Sequence, residues 1–127
     1  MDNELSQRVI GCAFEVSNTL GAGFLEQVYE KALCVELENE GFSFYCQKPV
    51  AVKYKDVIVG DYVTDIIVED SLLLELKAVS VMPAVYQAQL INYLKATGLS
   101  HGLLLNFGTP KLGIKRMIWN HNETNRN

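Results

Sequence analysis

Three charged side chains stand in two otherwise apolar runs: Asp65 in YVTDIIV, and Glu75 with Lys77 in LLLELKAV. Both runs read as strands, joined at Glu69-Asp70-Ser71. Side chains alternate faces along a strand, so Glu75 and Lys77 share one. The direction of Asp65 depends on the turn. A three-residue loop pairs Val68 with Leu72 and sets Asp65 directly opposite Glu75. A two-residue loop puts the two acids on opposite faces, because a one-residue slip turns every side chain over. Asp and Ser turn chemistry permits either. The three-residue register is preferred because it gathers all three charges on one patch of a buried sheet.

Two carboxylates about 4 Å apart repel by roughly 4 kcal/mol at an effective dielectric near 20. Lys77 offsets part of that repulsion, and a hard divalent cation offsets more. Mg²⁺ takes one or two carboxylates and completes its shell with water and phosphate oxygens. A lysine beside such an ion can orient or help deprotonate an attacking water, or stabilise developing phosphoryl charge. The plain structural alternative is a salt bridge closing a hairpin.

These strands need a scaffold, and the chain supplies one. Residues 3–20 carry Leu5, Val9, Cys12, Ala13, Val16 and Leu20 at three- and four-residue spacing, the stripe of an amphipathic helix. Asp2 or Asn3 can cap it, and Gly21 and Gly23 end it. A second helix spans about Phe24 to Glu40, with a core face of Leu25, Val28, Ala32, Val35 and Leu33. Glu26 and Tyr29 are neighbours on this helix, three residues apart. Glu26 lies in the first turn, where the helix dipole alone would favour a carboxylate. Tyr29 suits the edge of the core.

From Phe42 the period becomes two. Strands are expected at about 43–54, 57–68 and 72–79, with a turn at Lys55-Asp56 and a bulge or bend at Gly60. Pro83 opens a third helix that stops before Gly98. Met82, Tyr86, Gln89 and Tyr93 lie on one flank of it, and Val85 and Leu94 face the core. A solvent-facing amide is the bland reading of Gln87, less so of Gln89 beside the aromatic flank. The run from His101 to Phe107 reads as a buried strand parallel to LLLELK, reached by a crossover helix. His101 itself is structural or merely exposed. Ile114–Trp119 makes an edge strand. The expected class is α/β, a mixed sheet flanked by helices in the order ααβββαββ. Residues 1–120 form one domain and 121–127 a polar tail.

The chain has 127 residues, 49% of them hydrophobic, and a net charge of −4. That suffices for a sizeable core and argues against a strongly basic nucleic-acid coat. Carboxylates that ligate a cation count as negative here, and local clusters exist at Lys48, Lys53 and Lys55 and at Lys111, Lys115 and Arg116. No apolar run is long enough to span a membrane. Cys12, Cys34 and Cys46 form no CxxC and cannot all pair. They read as reduced, mostly buried thiols of a cytoplasmic protein.

Together these residues resemble the PD-(D/E)XK nuclease superfamily, and within it the small GxxExxY branch. Its motif stands here as Gly23-Phe24-Leu25-Glu26-Gln27-Val28-Tyr29, followed by Asp65, by Glu75-Leu76-Lys77, and by a QxxxY-like element, Gln89 to Tyr93. The likeness covers roughly residues 5–119. Val63-Thr64 precede Asp65, without the proline of the superfamily's name. The resemblance implies a restriction-endonuclease-like core in which Asp65, Glu75 and the Leu76 carbonyl hold Mg²⁺ or Mn²⁺. Glu26 becomes a further ligand or a water-holding carboxylate, and Lys77 positions or activates the attacking water. Gln89 and Tyr93 contact the nucleic-acid backbone, or Gln89 braces Lys77.

The reading is a metal-dependent nuclease, with DNA as the expected substrate and a metal-activated water as nucleophile. With no sequence-reading module in so small a domain, it is expected to recognise structure or ends, or to act as a homodimer or with a protein partner. The alternatives are a catalytically inactive nucleic-acid- or protein-binding module on the same fold, and a buried ion network without chemistry.

Overall fold

A computed structural model describes residues 3–121. Asp2 and residues 122–127 of the expected tail lie outside them. The element order is α1 (Asn3–Leu20), α2 (Glu26–Asn39), β1 (Phe44–Tyr54), β2 (Val57–Val68), β3 (Leu72–Lys77), α3 (Val85–Thr97), β4 (His101–Asn106) and β5 (Gly113–Ile118). The five strands form one mixed sheet in the order β1-β2-β3-β4-β5. Only β3 and β4 run parallel, joined through α3; the other neighbours are antiparallel. This is the α/β, restriction-endonuclease-like arrangement expected from the ααβββαββ order.

Turn chemistry sets the register. Tyr54 pairs with Val57, and Lys55 and Asp56 between them sit at φ 48° and 65°, as a two-residue primed turn requires. Val52 faces Gly60 while Lys53 faces Ile58, so Val59 is an extra residue beside Gly60 and marks the expected bulge. Val68 pairs with Leu72. The Glu69-Asp70-Ser71 loop is therefore the three-residue one.

Alternation along β3 divides the core. Leu72, Leu74 and Leu76 pack with Val9, Val16, Leu33 and Leu37 of α1 and α2. Leu73, on the other face, packs with Ile67, Leu104 and with Leu90 and Leu94 of α3. Glu75 and Lys77 fall on the α3 side by the same alternation. Gly98 at φ 80° closes α3, its N–H donating to the Leu94 carbonyl.

The second helix is rotated from its expected setting. Its buried residues are Tyr29, Leu33 and Leu37, whereas Leu25 is 78% exposed, Val35 56% exposed, and Val28 also faces out. Val85 of α3 is likewise exposed, so Leu90 and Leu94 are the core residues there. The cause in α2 is Tyr29, which is fully buried rather than at the core's edge. Its ring stacks on Phe107 at 4.9 Å. Its hydroxyl donates to the Gly21 carbonyl (2.6 Å) and accepts from the Phe24 N–H (3.1 Å). A tyrosine enters a core when its hydroxyl finds partners there, and the Gly21–Phe24 turn provides them. Of the cysteines, Cys12 is buried as expected, but Cys34 is half-buried and Cys46 exposed.

Replacing Tyr29 with Phe removes that link between turn and helix and takes the hydroxyl partner from the part-buried Gly21 carbonyl. The expected loss is about 1–2 kcal/mol. Urea titration should show a lower midpoint at unchanged slope.

Candidate active site

The sheet opens at one place. Pairing between β2 and β3 runs only from Val68↔Leu72 to Ile66↔Leu74. Beyond it, strand amides go to side chains. The Asp65 N–H donates to Glu75 Oε2 at 2.8 Å, and the Leu76 N–H donates to Asp65 Oδ2 at 2.7 Å. On the other side of β2, the pairing passes from Cys46↔Ile66 to Lys48↔Thr64 and skips Gln47, which sits at φ 56°. Asp65 therefore stands where the ladder is interrupted on both sides. Its carboxylate and that of Glu75 replace the carbonyls that an unbroken sheet would offer. One oxygen of each acid is committed to the strands, and the Gln47 side chain also hydrogen-bonds the Asp65 carboxylate.

Both groups resist ionisation. Burial raises the Asp65 pKa, against the lowering effects of the Leu76 N–H and of Lys77. Glu75, only 5% exposed, is pushed up to about 8, by burial first and by the Asp65 charge second. Lys77 is the last residue of β3, and its Nζ lies 4.4 Å from the centre of the Tyr86 ring. Among the described residues it forms no ion pair with either carboxylate. A salt bridge closing the hairpin is thus not what the three charges make.

The strand end that carries Lys77 is clamped from β4. The buried Asn106 accepts from the Val79 and Gly108 N–H groups through Oδ1 and donates through Nδ2 to the Val79 carbonyl, each at 3.0 Å. The Phe107 N–H donates to the Lys77 carbonyl at 2.8 Å. Gly108 fits because a Cβ there would lie 2.2 Å from the Val79 nitrogen.

A cleft of about 720 Å³ opens over Asp65, lined also by Glu26, Glu30, Lys31 and Gln47. Glu26 is the first residue of α2. It is exposed as a whole residue, yet the surroundings of its carboxyl raise its pKa, through burial first, with Lys77 lowering and Asp65 raising it. Glu30 is raised in the same way, by burial and then by Asp65, and accepts from Gln47 Nε2 at 2.6 Å. The neighbour of Glu26 on the cleft side is thus Glu30, four residues on, while Tyr29 points into the core.

Gln89 is half-buried on α3 and makes no hydrogen bond to a described residue; the group touching Lys77 is Tyr86. Tyr93 packs edge-on against Tyr62 at 4.9 Å. Its pKa is raised by burial, then by Glu75, so it borders the acidic pair. Asp65, Glu75, Lys77 and Glu26 share one electrostatic neighbourhood, with Tyr93 at its border. Glu30, Gln47, Tyr86 and Asn106 join them without having been singled out from the sequence. Of these, Glu30 left a signal in its i, i+4 spacing from Glu26, and Tyr86 in its place on the helix flank shared with Gln89 and Tyr93.

Among the described residues, no three His, Cys, Asp or Glu side chains gather closely enough to hold an ion by themselves. The donor set nevertheless suits a small hard dication, which needs only one or two carboxylates. Two desolvated acids with raised pKa values and no direct cationic contact are suited to such a charge.

Residues 3–117 match the PD-(D/E)XK nuclease superfamily, and the chain belongs to it. No curated protein and no solved structure matches the chain.

The raised pKa of Glu75 fixes a sign. Its folded value, about 8, exceeds the ordinary 4.5. The associated stability is complete below the ordinary value and is lost as pH rises through 8, because the folded state holds the proton that the unfolded chain releases. Glu75→Gln keeps an acceptor for the Asp65 N–H and stays neutral. The metal-free variant should therefore exceed the wild type by about 1–3 kcal/mol above pH 8. The difference should fade toward pH 4.5 in urea titrations across that range.

Proposed function

We propose that this member of the PD-(D/E)XK nuclease superfamily hydrolyses phosphodiester bonds of DNA in a divalent-metal-dependent reaction, and that it falls in the GxxExxY branch. The observation that carries the reading is the interlocked Asp65–Glu75 pair at the opening of the sheet, with Lys77 beside it but bonded to neither acid. A pair that served only to hold two strands together would be better matched with a contacting cation, since breaking a buried ion pair costs about 3–5 kcal/mol.

Asp65 and Glu75, with the Leu76 carbonyl, would hold Mg²⁺ or Mn²⁺, and Glu26 would reach in from α2 as a further ligand. Such an ion supplies positive charge for a phosphate oxygen and acidity for a bound water. Lys77 orients the attacking water in line with the ester bond that breaks and stabilises the charge gathering on phosphorus. The Tyr86 ring and the Asn106 clamp keep its ammonium aimed. Gln89 and Tyr93 meet the nucleic-acid backbone. A groove of about 620 Å³ between α3 and the β1–β2 hairpin is lined by Lys53, Lys95, Asn92 and by Tyr62, whose ring packs on Tyr93. Its lysines can neutralise phosphates on a chain whose overall charge is −4.

No described helix is long and apolar enough to cross a membrane. The free cysteines fit a reducing compartment, and we place the protein in the cytoplasm. A second reading, a catalytically inactive nucleic-acid- or protein-binding module on the same fold, draws on the exposed apolar strip of Tyr54, Val57, Ile58 and Val59 at the hairpin tip.

Supercoiled plasmid with Mg²⁺ or Mn²⁺ should be nicked by the wild type. Lys77→Ala should lose about 100-fold or more of that activity while keeping its thermal midpoint. Calorimetry should record Mn²⁺ binding to the wild type and not to Asp65→Asn. Equal, metal-independent nicking by wild type and Lys77→Ala would refute the proposal.

A further inference from the structure

Outside the acidic cleft, two of the three cysteines, Cys34 and Cys46, bring their thiols together. Cys34 lies on the third turn of α2 and Cys46 is the third residue of β1; their sulfurs are 2.8 Å apart. A disulfide needs about 2.05 Å between sulfurs, so only a small closure separates the thiols from a bond. The two residues also differ in access. Cys46 is exposed and Cys34 half-buried, whereas the third cysteine, Cys12, is buried in the α1–α2 core.

We propose that Cys34 and Cys46 are a reversible disulfide site that staples α2 to β1. The inference does not rest on the nuclease reading. The oxidant is a hydroperoxide such as hydrogen peroxide. Cys46, the accessible sulfur, attacks a peroxide oxygen as its thiolate; the O–O bond breaks, leaving a Cys46 sulfenic acid and hydroxide, which takes up the proton released from Cys46. The Cys34 sulfur then attacks the Cys46 sulfur, the S–O bond breaks, and the departing hydroxide leaves with the Cys34 proton as water. Two thiols have lost two electrons and two protons, and one peroxide has become two waters. Cys34 suits the second role. Burial, the neighbouring Cys46 and the acids Glu30 and Glu38 push its pKa up to about 12, so it waits as a thiol.

The staple would fall on a seam that matters to the cleft. Glu30 is one helical turn before Cys34, and Gln47 follows Cys46 directly. These two are already joined by the 2.6 Å hydrogen bond from Gln47 to Glu30. Gln47 also stands at the interruption of β1 facing Asp65. Oxidation would therefore lock the helix that carries Glu26 and Glu30 to the strand that carries Gln47.

The test exposes the folded full chain to hydrogen peroxide, quenches free thiols, and cleaves after glutamate without reduction. Glu36, Glu38 and Glu40 lie between the two cysteines, so a bridge shows as two cleaved peptides still joined. The expected result is a Cys34–Cys46 linkage, a mass lower by two hydrogens, and one remaining titratable thiol, Cys12. The thermal midpoint should rise by about 5–10 °C and fall back with a dithiol reductant. Cys46→Ser, at an exposed position, should keep the reduced midpoint and lose the oxidative rise. The proposal is overturned if all three thiols stay titratable with unchanged mass. Linkage through Cys12, or a bridge between two chains, overturns it equally.

Discussion

Two carboxylates that take over the work of backbone carbonyls are the constraint around which this molecule is arranged. Where β2 and β3 part, Asp65 and Glu75 each accept an amide from the other's strand, at 2.7 and 2.8 Å respectively. The exchange keeps the opening from leaving buried donors unpaired, which would otherwise cost about 1–3 kcal/mol apiece. It also holds two like-charged groups together in a dry place. That crowding is unfavourable for the empty fold and useful for a cation site, since it favours whatever relieves it, a proton or a metal ion.

The remaining structure aims side chains at that opening. The apolar residues of β3 anchor it on both faces, Leu72, Leu74 and Leu76 against the first two helices and Leu73 against the third. Rigid seating of the strand is what lets Glu75 and Lys77 keep their direction. At its end, Asn106 holds Val79 through two hydrogen bonds and accepts a third from the Gly108 N–H, in space that no larger residue than glycine could share at 108. Lys77 is thus fixed through its backbone while its ammonium rests on the Tyr86 ring.

Strand periodicity and turn chemistry made much of this legible from residues alone. The hairpin at Lys55-Asp56 and the parallel β3–β4 neighbours follow from local rules about which residues tolerate positive φ and how a crossover is built, whereas the Val68↔Leu72 pairing follows from the register that gathers Asp65, Glu75 and Lys77 on one patch. The rotation of α2 was not legible, because apolar residues occur on more than one of its sides. The deciding event is a long-range one, Tyr29 finding Gly21 and Phe24 for its hydroxyl and Phe107 for its ring. Gln47 and Asn106 were hidden for a similar reason. An amide in a strand carries no mark of whether it faces water or repairs a gap in the sheet.

The anchoring of Tyr29 bears on how the signature containing it is understood. Gly23 adopts φ 115°, and Tyr29 ties the turn before the helix to its first two turns; only Glu26 of that trio borders the cleft. Two of the three letters thus serve architecture, and only the glutamate faces the cleft. A descendant could keep glycine and tyrosine under selection for shape alone while its glutamate drifted to any helix-compatible residue. Counting the intact triplet as proof of an enzyme would mistake a hinge pin for a blade.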